Sequence, residues 1–101
     1  MNDFIKLIEI CTKSMGYSKD HRDVLREFTL REIIINKNHI VGFRENAGLK
    51  LLLDKKELNI KNLNPHTSFT KIILNTGSNT TLNLDVVGEP SYVVKKIKES
   101  L

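Results

Sequence analysis

The chain has 101 residues, of which 40% are hydrophobic and 28% charged, and its 16 Lys and Arg against 12 Asp and Glu give a net charge of +4. This length predicts one domain, residues 1–101, with one modest core and little room for a deep active-site cleft. The single cysteine excludes a disulfide framework and a thiolate-rich zinc site within one chain. The apolar runs are too short to cross a bilayer, and the first residues lack the basic start of a signal peptide. We therefore expect a cytoplasmic protein without a membrane partner.

Two helices are predicted in residues 1–28. At the start of the chain apolar residues recur at the spacing of one helical face, namely Phe4, Leu7, Ile8, Cys11 and Met15. Gly16 suits the C terminus of this helix. Ser18 is a good N-cap for a shorter second helix over residues 19–27. Cys11 lies on the apolar side of the first predicted helix, where a free cysteine is typically a small buried residue.

Strands and turns are predicted over residues 29–87. Residues 31–35, which end in three β-branched isoleucines, and residues 39–44, which include Ile40, Val41 and Phe43, are predicted strands on either side of a turn at 36–38. Residues 49–53 alternate as a further strand before a polar tip at 54–57. Residues 58–61 continue beyond this tip, and residues 62–68 form the longest irregular stretch. Residues 70–75 and 80–87 flank the sequence Thr76-Gly77-Ser78-Asn79, which is a strong hairpin signal.

A final helix is predicted over residues 88–101. Pro90 suits the first helical position, and Val93, Ile97 and Leu101 are four residues apart. Segregated helices and consecutive hairpins together predict an α+β fold. Its expected parts are two N-terminal helices, an antiparallel sheet of about five or six strands, and a C-terminal helix.

We predict no catalytic, metal-binding or cofactor-binding residue. His21, His39 and His66 are far apart and follow none of the local spacings of zinc motifs, and the sequence has no Gly-rich nucleotide-binding motif. The chain is therefore expected not to be an enzyme. The rival interpretation is an enzyme in which two of these histidines meet a remote acid in one pocket.

Basic residues are concentrated in the middle of the chain, where residues 29–64 carry seven Lys and Arg against four acids. A basic surface can bind phosphates by releasing counterions. A nucleic-acid site here would use Arg44, Lys50, Lys55, Lys56 and Lys61. We favour the alternative that these are solvated surface residues, because +4 is an ordinary charge and lysines commonly protect sheet edges.

Three segments resemble parts of the small flagellar accessory proteins of the FlbD/SwrD type. Residues 33–43 resemble their opening, in which a hydrophobic strand, an Asn, a polar turn and a second hydrophobic strand follow one another. Residues 70–77 resemble their T-x-I-x-L-x-x-G strand and turn, and residues 86–97 their terminal helix with an acidic residue and Pro. The match covers about half of the chain. The resemblance implies a small β-sheet scaffold without catalysis, and it transfers no functional residue.

The sequence thus predicts a small non-enzymatic accessory or regulatory protein that binds a macromolecular partner, most readily a protein. Nucleic-acid binding through the basic middle segment is the alternative. Self-association through exposed strand edges is a further expectation. Lys, Asn and Ile make up 33 of the 101 residues, and their AT-rich codons indicate a bacterial or phage origin.

Overall fold

A computed structural model describes residues 3–17, 24–55, 60 and 63–99. Within these residues the chain forms five strands, two α-helices and one short 3-10 helix. In chain order they are β1 (Phe4–Tyr17), β2 (Val24–Asn36), the 3-10 helix (Lys37–His39), β3 (Ile40–Glu45), α1 (Ala47–Asp54), β4 (Phe69–Gly77), β5 (Thr80–Val87) and α2 (Pro90–Glu99). The overall class is α+β, as predicted, but the N-terminal and mid-chain elements differ from those predicted.

The prediction of two N-terminal helices is wrong. β1 and β2 form one long antiparallel hairpin, which runs from Phe4 opposite Asn36 to Tyr17 opposite Val24. Residues 24–27 of the second predicted helix belong to β2, whereas residues 19–23 lie outside the described residues. The division of the chain into a helical segment 1–28 and a sheet 29–87 therefore fails, because the sheet begins at Phe4.

Cross-strand pairing explains why β1 is a strand. Ile5 lies opposite Ile35 and Leu7 lies opposite Ile33, and these apolar pairs face the core. β-Branched side chains lose freedom in a helix but pack well on a pleated sheet, so the isoleucines of both strands favour the hairpin.

The predicted strand over residues 49–53 is also wrong, because this segment is helix α1. The Asn46 side chain caps the helix, its Oδ1 accepting a 3.1 Å hydrogen bond from the Leu49 N–H. The helix contains no β-branched residue and is rich in leucine, a strong helix former. Leu52 and Leu53 join Leu49 against the core at helical spacing, and the predicted tip residues 56 and 57 lie outside the described residues.

The structure confirms the strands and turns predicted around residue 37 and in the last third of the chain. The 3-10 helix separates β2 from β3, as the turn prediction required. β4 and β5 form the predicted hairpin, whose turn places Ser78 and Asn79 at positive φ values of 49° and 62°. That geometry matches the twist of the strands it joins. α2 begins at Pro90, as predicted.

The five strands form one antiparallel sheet in the order β2-β1-β5-β4-β3. β2 and β3 are opposite edges of this sheet, yet only the 3-10 helix connects them. In a flat sheet the two edges would be about 19 Å apart, whereas this connection spans about 8 Å. The sheet is therefore strongly curled, and a hydrogen bond of 2.9 Å from the Lys37 N–H to the Asp3 carbonyl closes the corner.

Each face of the curled sheet carries a hydrophobic cluster. The first cluster joins the strands to α2 and consists of Ile5, Leu7, Ile35, Ile72, Leu84, Val86 and Val93. The second lies under α1 and consists of Ile10 and Phe69, with partly buried Phe28, Leu49, Leu52, Leu53, Ile60, Leu63 and Val87 around them. Phe69 and Val93 are both fully buried, so each helix is anchored to its own face of the sheet.

Candidate functional site

Of the five basic residues predicted as a nucleic-acid site, the three that the structure describes do not lie on one hairpin. Arg44 is exposed on β3, whereas Lys50 is in α1 and Lys55 caps its C terminus. The Lys50 ammonium lies 3.5 Å from Asp54 Oδ1 and donates a 3.2 Å hydrogen bond to the Pro65 carbonyl, so its charge is already partnered. Lys56 and Lys61 lie outside the described residues.

One pair of cationic residues in opposite positions on the sheet was not predicted. Arg44 on β3 lies directly opposite Lys71 on β4, which in turn lies opposite Asp85 on β5. Like charges in opposite positions on antiparallel strands repel each other. Sequence reasoning missed this pair because Lys71 was assigned to a separate hairpin from Arg44.

Four of the eight exposed large hydrophobic side chains in the described part of the chain belong to the β1–β2 hairpin. All four, at even-numbered positions of the two strands, point away from the first cluster, whose residues on these strands are odd-numbered. We call these four side chains the hairpin face. They are Phe4 (52% exposed), Ile8 (40%), Leu30 (38%) and Ile34 (60%). Lys6 and Glu32 lie among them as an exposed ion pair with a distance of 3.5 Å. Apolar surface grouped in this way is typical of a protein-binding site.

The hairpin face lies between two clefts. Ile8 lines a cleft of about 440 Å³ together with Val87, Gly88, Tyr92 and neighbouring polar residues. Ile34 lines a groove of about 550 Å³ where the end of β2 approaches the end of β4, beside Leu74. The apolar surface available to a partner therefore extends beyond the four side chains of the hairpin face.

Glu9, Cys11 and Arg31 form a polar cluster at the middle of the hairpin. Arg31 Nε donates a 3.0 Å hydrogen bond to Glu9 Oε1, and this bond raises the pKa of the Arg31 guanidinium. Burial raises the pKa of the Cys11 thiol, and the neighbouring Glu9 carboxylate raises it further. Cys11 was predicted on the apolar face of a helix and is instead a partly buried free thiol on a strand. A thiol whose pKa is raised is a poor nucleophile at neutral pH.

The histidines predicted for the rival enzymatic interpretation are in different places. His39 lines the groove between β2 and β4, whereas His66 lines the cleft beside Tyr92. His21 lies outside the described residues. Across residues 3–17, 24–55, 60 and 63–99, no three His, Cys, Asp or Glu side chains are placed to bind a metal ion together.

No helix in the part of the chain that the structure describes is long and apolar enough to cross a membrane. Comparisons with protein-family models, curated proteins and solved structures find no match to this chain.

Proposed function

We propose that this protein is a small accessory or regulatory factor that acts by binding another protein through the hairpin face, without catalysing a reaction. The observation that carries the proposal is the exposure of Phe4, Ile8, Leu30 and Ile34 on one face of a single hairpin. Removing such apolar surface from water is the main driving force of protein association. The resemblance to small flagellar accessory proteins supports a factor of this size and kind.

The surroundings of the hairpin face suggest the chemistry of the partner. The cleft beside Ile8 has an apolar wall at Val87 and an aromatic ring at Tyr92, 38% exposed. An aliphatic or aromatic side chain of the partner fits this cleft as an anchor. The exposed Lys6–Glu32 pair offers both signs of charge at the centre of the face, where a partner's polar groups find a match.

Capture of crosslinked partners tests the proposal. The double variant Phe4→Ser/Ile8→Ser removes half of the hairpin face, whereas Val41→Ser/Leu82→Ser removes apolar side chains of similar exposure elsewhere. We expect the wild type and the control variant to crosslink the same protein in cells of the source organism, and the hairpin-face variant to lose it. Nuclease treatment is expected to leave the capture unchanged. Equal capture by all three proteins, or capture only in the presence of nucleic acid, would contradict the proposal.

A fold with a single cysteine depends on no internal disulfide, and we propose that the protein acts in the cytoplasm of a bacterium or of a phage-infected cell. The AT-rich codons of the abundant Lys, Asn and Ile support that origin.

Nucleic-acid binding is the second candidate, and the Arg44–Lys71 pair is the observation that favours it. Phosphates would relieve the repulsion of these cations, with an affinity that falls steeply as the salt concentration rises. The test is a mobility-shift titration at low salt with wild type and Arg44→Glu/Lys71→Glu. Loss of binding in the variant supports this candidate. Equal binding by both proteins, or by neither, excludes this site.

A further inference from the structure

β2 has one unpaired edge along a strand of 13 residues. Its inner edge pairs with β1 from end to end, and no other strand of the described residues pairs with its outer edge. Natural proteins usually protect such an edge with Pro, with charged side chains (Lys above all) or with a bulge, because its free N–H and C=O groups can pair with another strand. β2 contains neither Pro nor Lys, and the register shift in the hairpin lies on β1. Its four charged residues are two Arg and two Glu, so the strand has no net charge that would repel a second copy.

The residues of β2 are arranged symmetrically about Thr29. Two positions at the same distance from Thr29, one on each side of it, are either both apolar or an Arg and a Glu. The matched positions are Phe28 with Leu30, Glu27 with Arg31, Arg26 with Glu32, Leu25 with Ile33 and Val24 with Ile34. Two copies of β2 aligned antiparallel with Thr29 at the centre would therefore have complementary residues at every position from 24 to 34.

Neighbouring registers lack this complementarity. In the paired strands, opposite residues must both have even numbers or both have odd numbers, because a shift by one residue would turn the apolar face of one copy to the other side of the sheet. The nearest alternative symmetric registers are therefore centred on Phe28 and on Leu30. Centring on Phe28 sets Arg26 opposite Leu30, and centring on Leu30 sets Arg26 opposite Ile34. The charge pattern thus selects one register.

We propose that two copies of this chain form a symmetric dimer by antiparallel pairing of their β2 edges, with Thr29 on the two-fold axis. The partner is a second copy because one strand supplies both halves of the complementary pattern, as an isologous interface requires. The inference rests on the proposed function and deepens it, since it names one protein partner of the same hairpin.

The dimer accounts for two features of the hairpin. Leu30 and Ile34, which are 38% and 60% exposed, lie opposite Phe28 and Val24 of the second copy. Arg31 and Glu32 each face an opposite charge within their own chain, Glu9 and Lys6, and the dimer extends this alternation of charge across the new strand pair.

Charge reversal provides the test, read by sedimentation equilibrium and light scattering. The β1 position opposite Arg26 in the strand register is the uncharged Ser14, so Arg26→Glu sets no like charge directly across from it on β1. By symmetry, Arg26→Glu or Glu32→Arg alone creates two like-charge contacts in the dimer, and we expect the dissociation constant to rise about tenfold or more. The double variant Arg26→Glu/Glu32→Arg restores both contacts and is expected to dimerise like the wild type. Lys98→Glu, at an exposed position of α2, is the matched control and is expected to leave the dimer unchanged.

Mixing the two single variants is the sharpest arm of the experiment. An Arg26→Glu chain paired with a Glu32→Arg chain has opposite charges at both contacts, so the mixture is expected to form a heterodimer although each variant alone is weakened. A monomeric wild type, or single variants that dimerise as tightly as wild type, would overturn the inference. If wild type is monomeric but the hairpin face still captures a partner, the proposed function stands without the dimer. If both measurements are negative, both proposals fail.

Discussion

Arg31 and Glu9 lie directly opposite each other on β2 and β1, joined by the 3.0 Å hydrogen bond between Nε and Oε1. Their surroundings differ: 69% of the Arg31 side chain is exposed, against 9% of the Glu9 side chain. A carboxylate removed from water needs a partner for its charge, and here the guanidinium supplies it from the solvent side of the pair.

Removing only Arg31 should therefore destabilise the fold more than removing both Arg31 and Glu9. We expect Arg31→Leu to lower the melting temperature, because it leaves the Glu9 carboxylate buried without its cation. The double variant Glu9→Leu/Arg31→Leu should recover part of this loss, since no charge then remains to be satisfied. Thermal unfolding followed by circular dichroism measures both. A double variant less stable than Arg31→Leu would contradict this account of the pair.

Leu7 and Ile8 distinguish the observed strand from the predicted helix. Leu7 is 2% exposed in the first cluster, whereas Ile8 is 40% exposed on the hairpin face. We expect Leu7→Ala to cost about 2–5 kcal/mol of unfolding free energy and Ile8→Ala about 1 kcal/mol or less. In a helix both residues would lie on one apolar face and their costs would be similar. Denaturant unfolding of the two variants measures the difference.

The N-terminal error has a physical cause. Phe4, Leu7 and Ile8 have the spacing of a helical face, but the strand places Leu7 on one side of the sheet and the other two on the opposite side. When a strand has apolar residues on both its exposed face and its buried face, the two sets taken together can have the spacing of one helical face. Only pairing with the isoleucines of β2, remote in sequence, decides between the two structures.

Local sequence signals were sufficient to predict the elements that depend on the backbone preferences of neighbouring residues. The hairpin turn at Ser78 and Asn79 and the start of α2 at Pro90 are set by backbone preferences of the residues themselves. The hairpin face could not be predicted in the same way, because its four side chains come together only when β1 and β2 pair. The error over the basic site has a related cause. The leucines of α1 fit the alternation of a strand as well as the periodicity of a helix, so residues 49–53 were predicted as a strand and Lys50 as part of a hairpin.

Asn46 connects three elements and offers a separable test. Its Oδ1 caps α1, its Nδ2 donates a 2.7 Å hydrogen bond to Asp85 Oδ1 on β5, and its N–H donates to the Phe69 carbonyl on β4. We expect Asn46→Ala to cost about 0.5–2 kcal/mol through loss of the cap. Asn46→Asp keeps the cap but sets a carboxylate against Asp85, so it should also be destabilised, and lowering the pH should relieve it. Urea unfolding at two pH values measures these effects, and an Asn46→Asp variant as stable as wild type would contradict the Asp85 contact.

Cys11 should react slowly with alkylating reagents. Burial and the Glu9 carboxylate both raise the pKa of its thiol, so less thiolate is present at a given pH than in a free cysteine. Because the folded thiol keeps its proton to higher pH than the unfolded one, this group stabilises the fold below its unfolded pKa and loses that effect as the pH rises through its folded pKa. Glu9→Gln removes the negative charge and should speed alkylation by iodoacetamide at pH 8. Mass spectrometry over time measures the rate, and a slower reaction in Glu9→Gln would contradict the assignment.

Gly88 fixes the corner between β5 and α2. Its φ of +117° is rarely adopted by other residues, and a Cβ placed there would lie 2.6 Å from Cδ2 of Tyr92. Its N–H donates to the Ser68 carbonyl and its carbonyl accepts from Thr70 Oγ1, both at 2.8 Å, so the backbone cannot easily move away.

We therefore expect Gly88→Ala to cost about 1–3 kcal/mol, measured by urea unfolding. Gly42→Ala is the matched control on β3, where no atom lies within 4 Å of the added Cβ, and it should be neutral or stabilise by about 0.4–1 kcal/mol. The double variant Gly88→Ala/Tyr92→Ala removes the steric clash but keeps the backbone strain, and comparing it with Tyr92→Ala alone isolates that strain. If the two glycine variants were equally stable, the corner would tolerate an L residue, and neither the clash nor the strain would hold α2 in place.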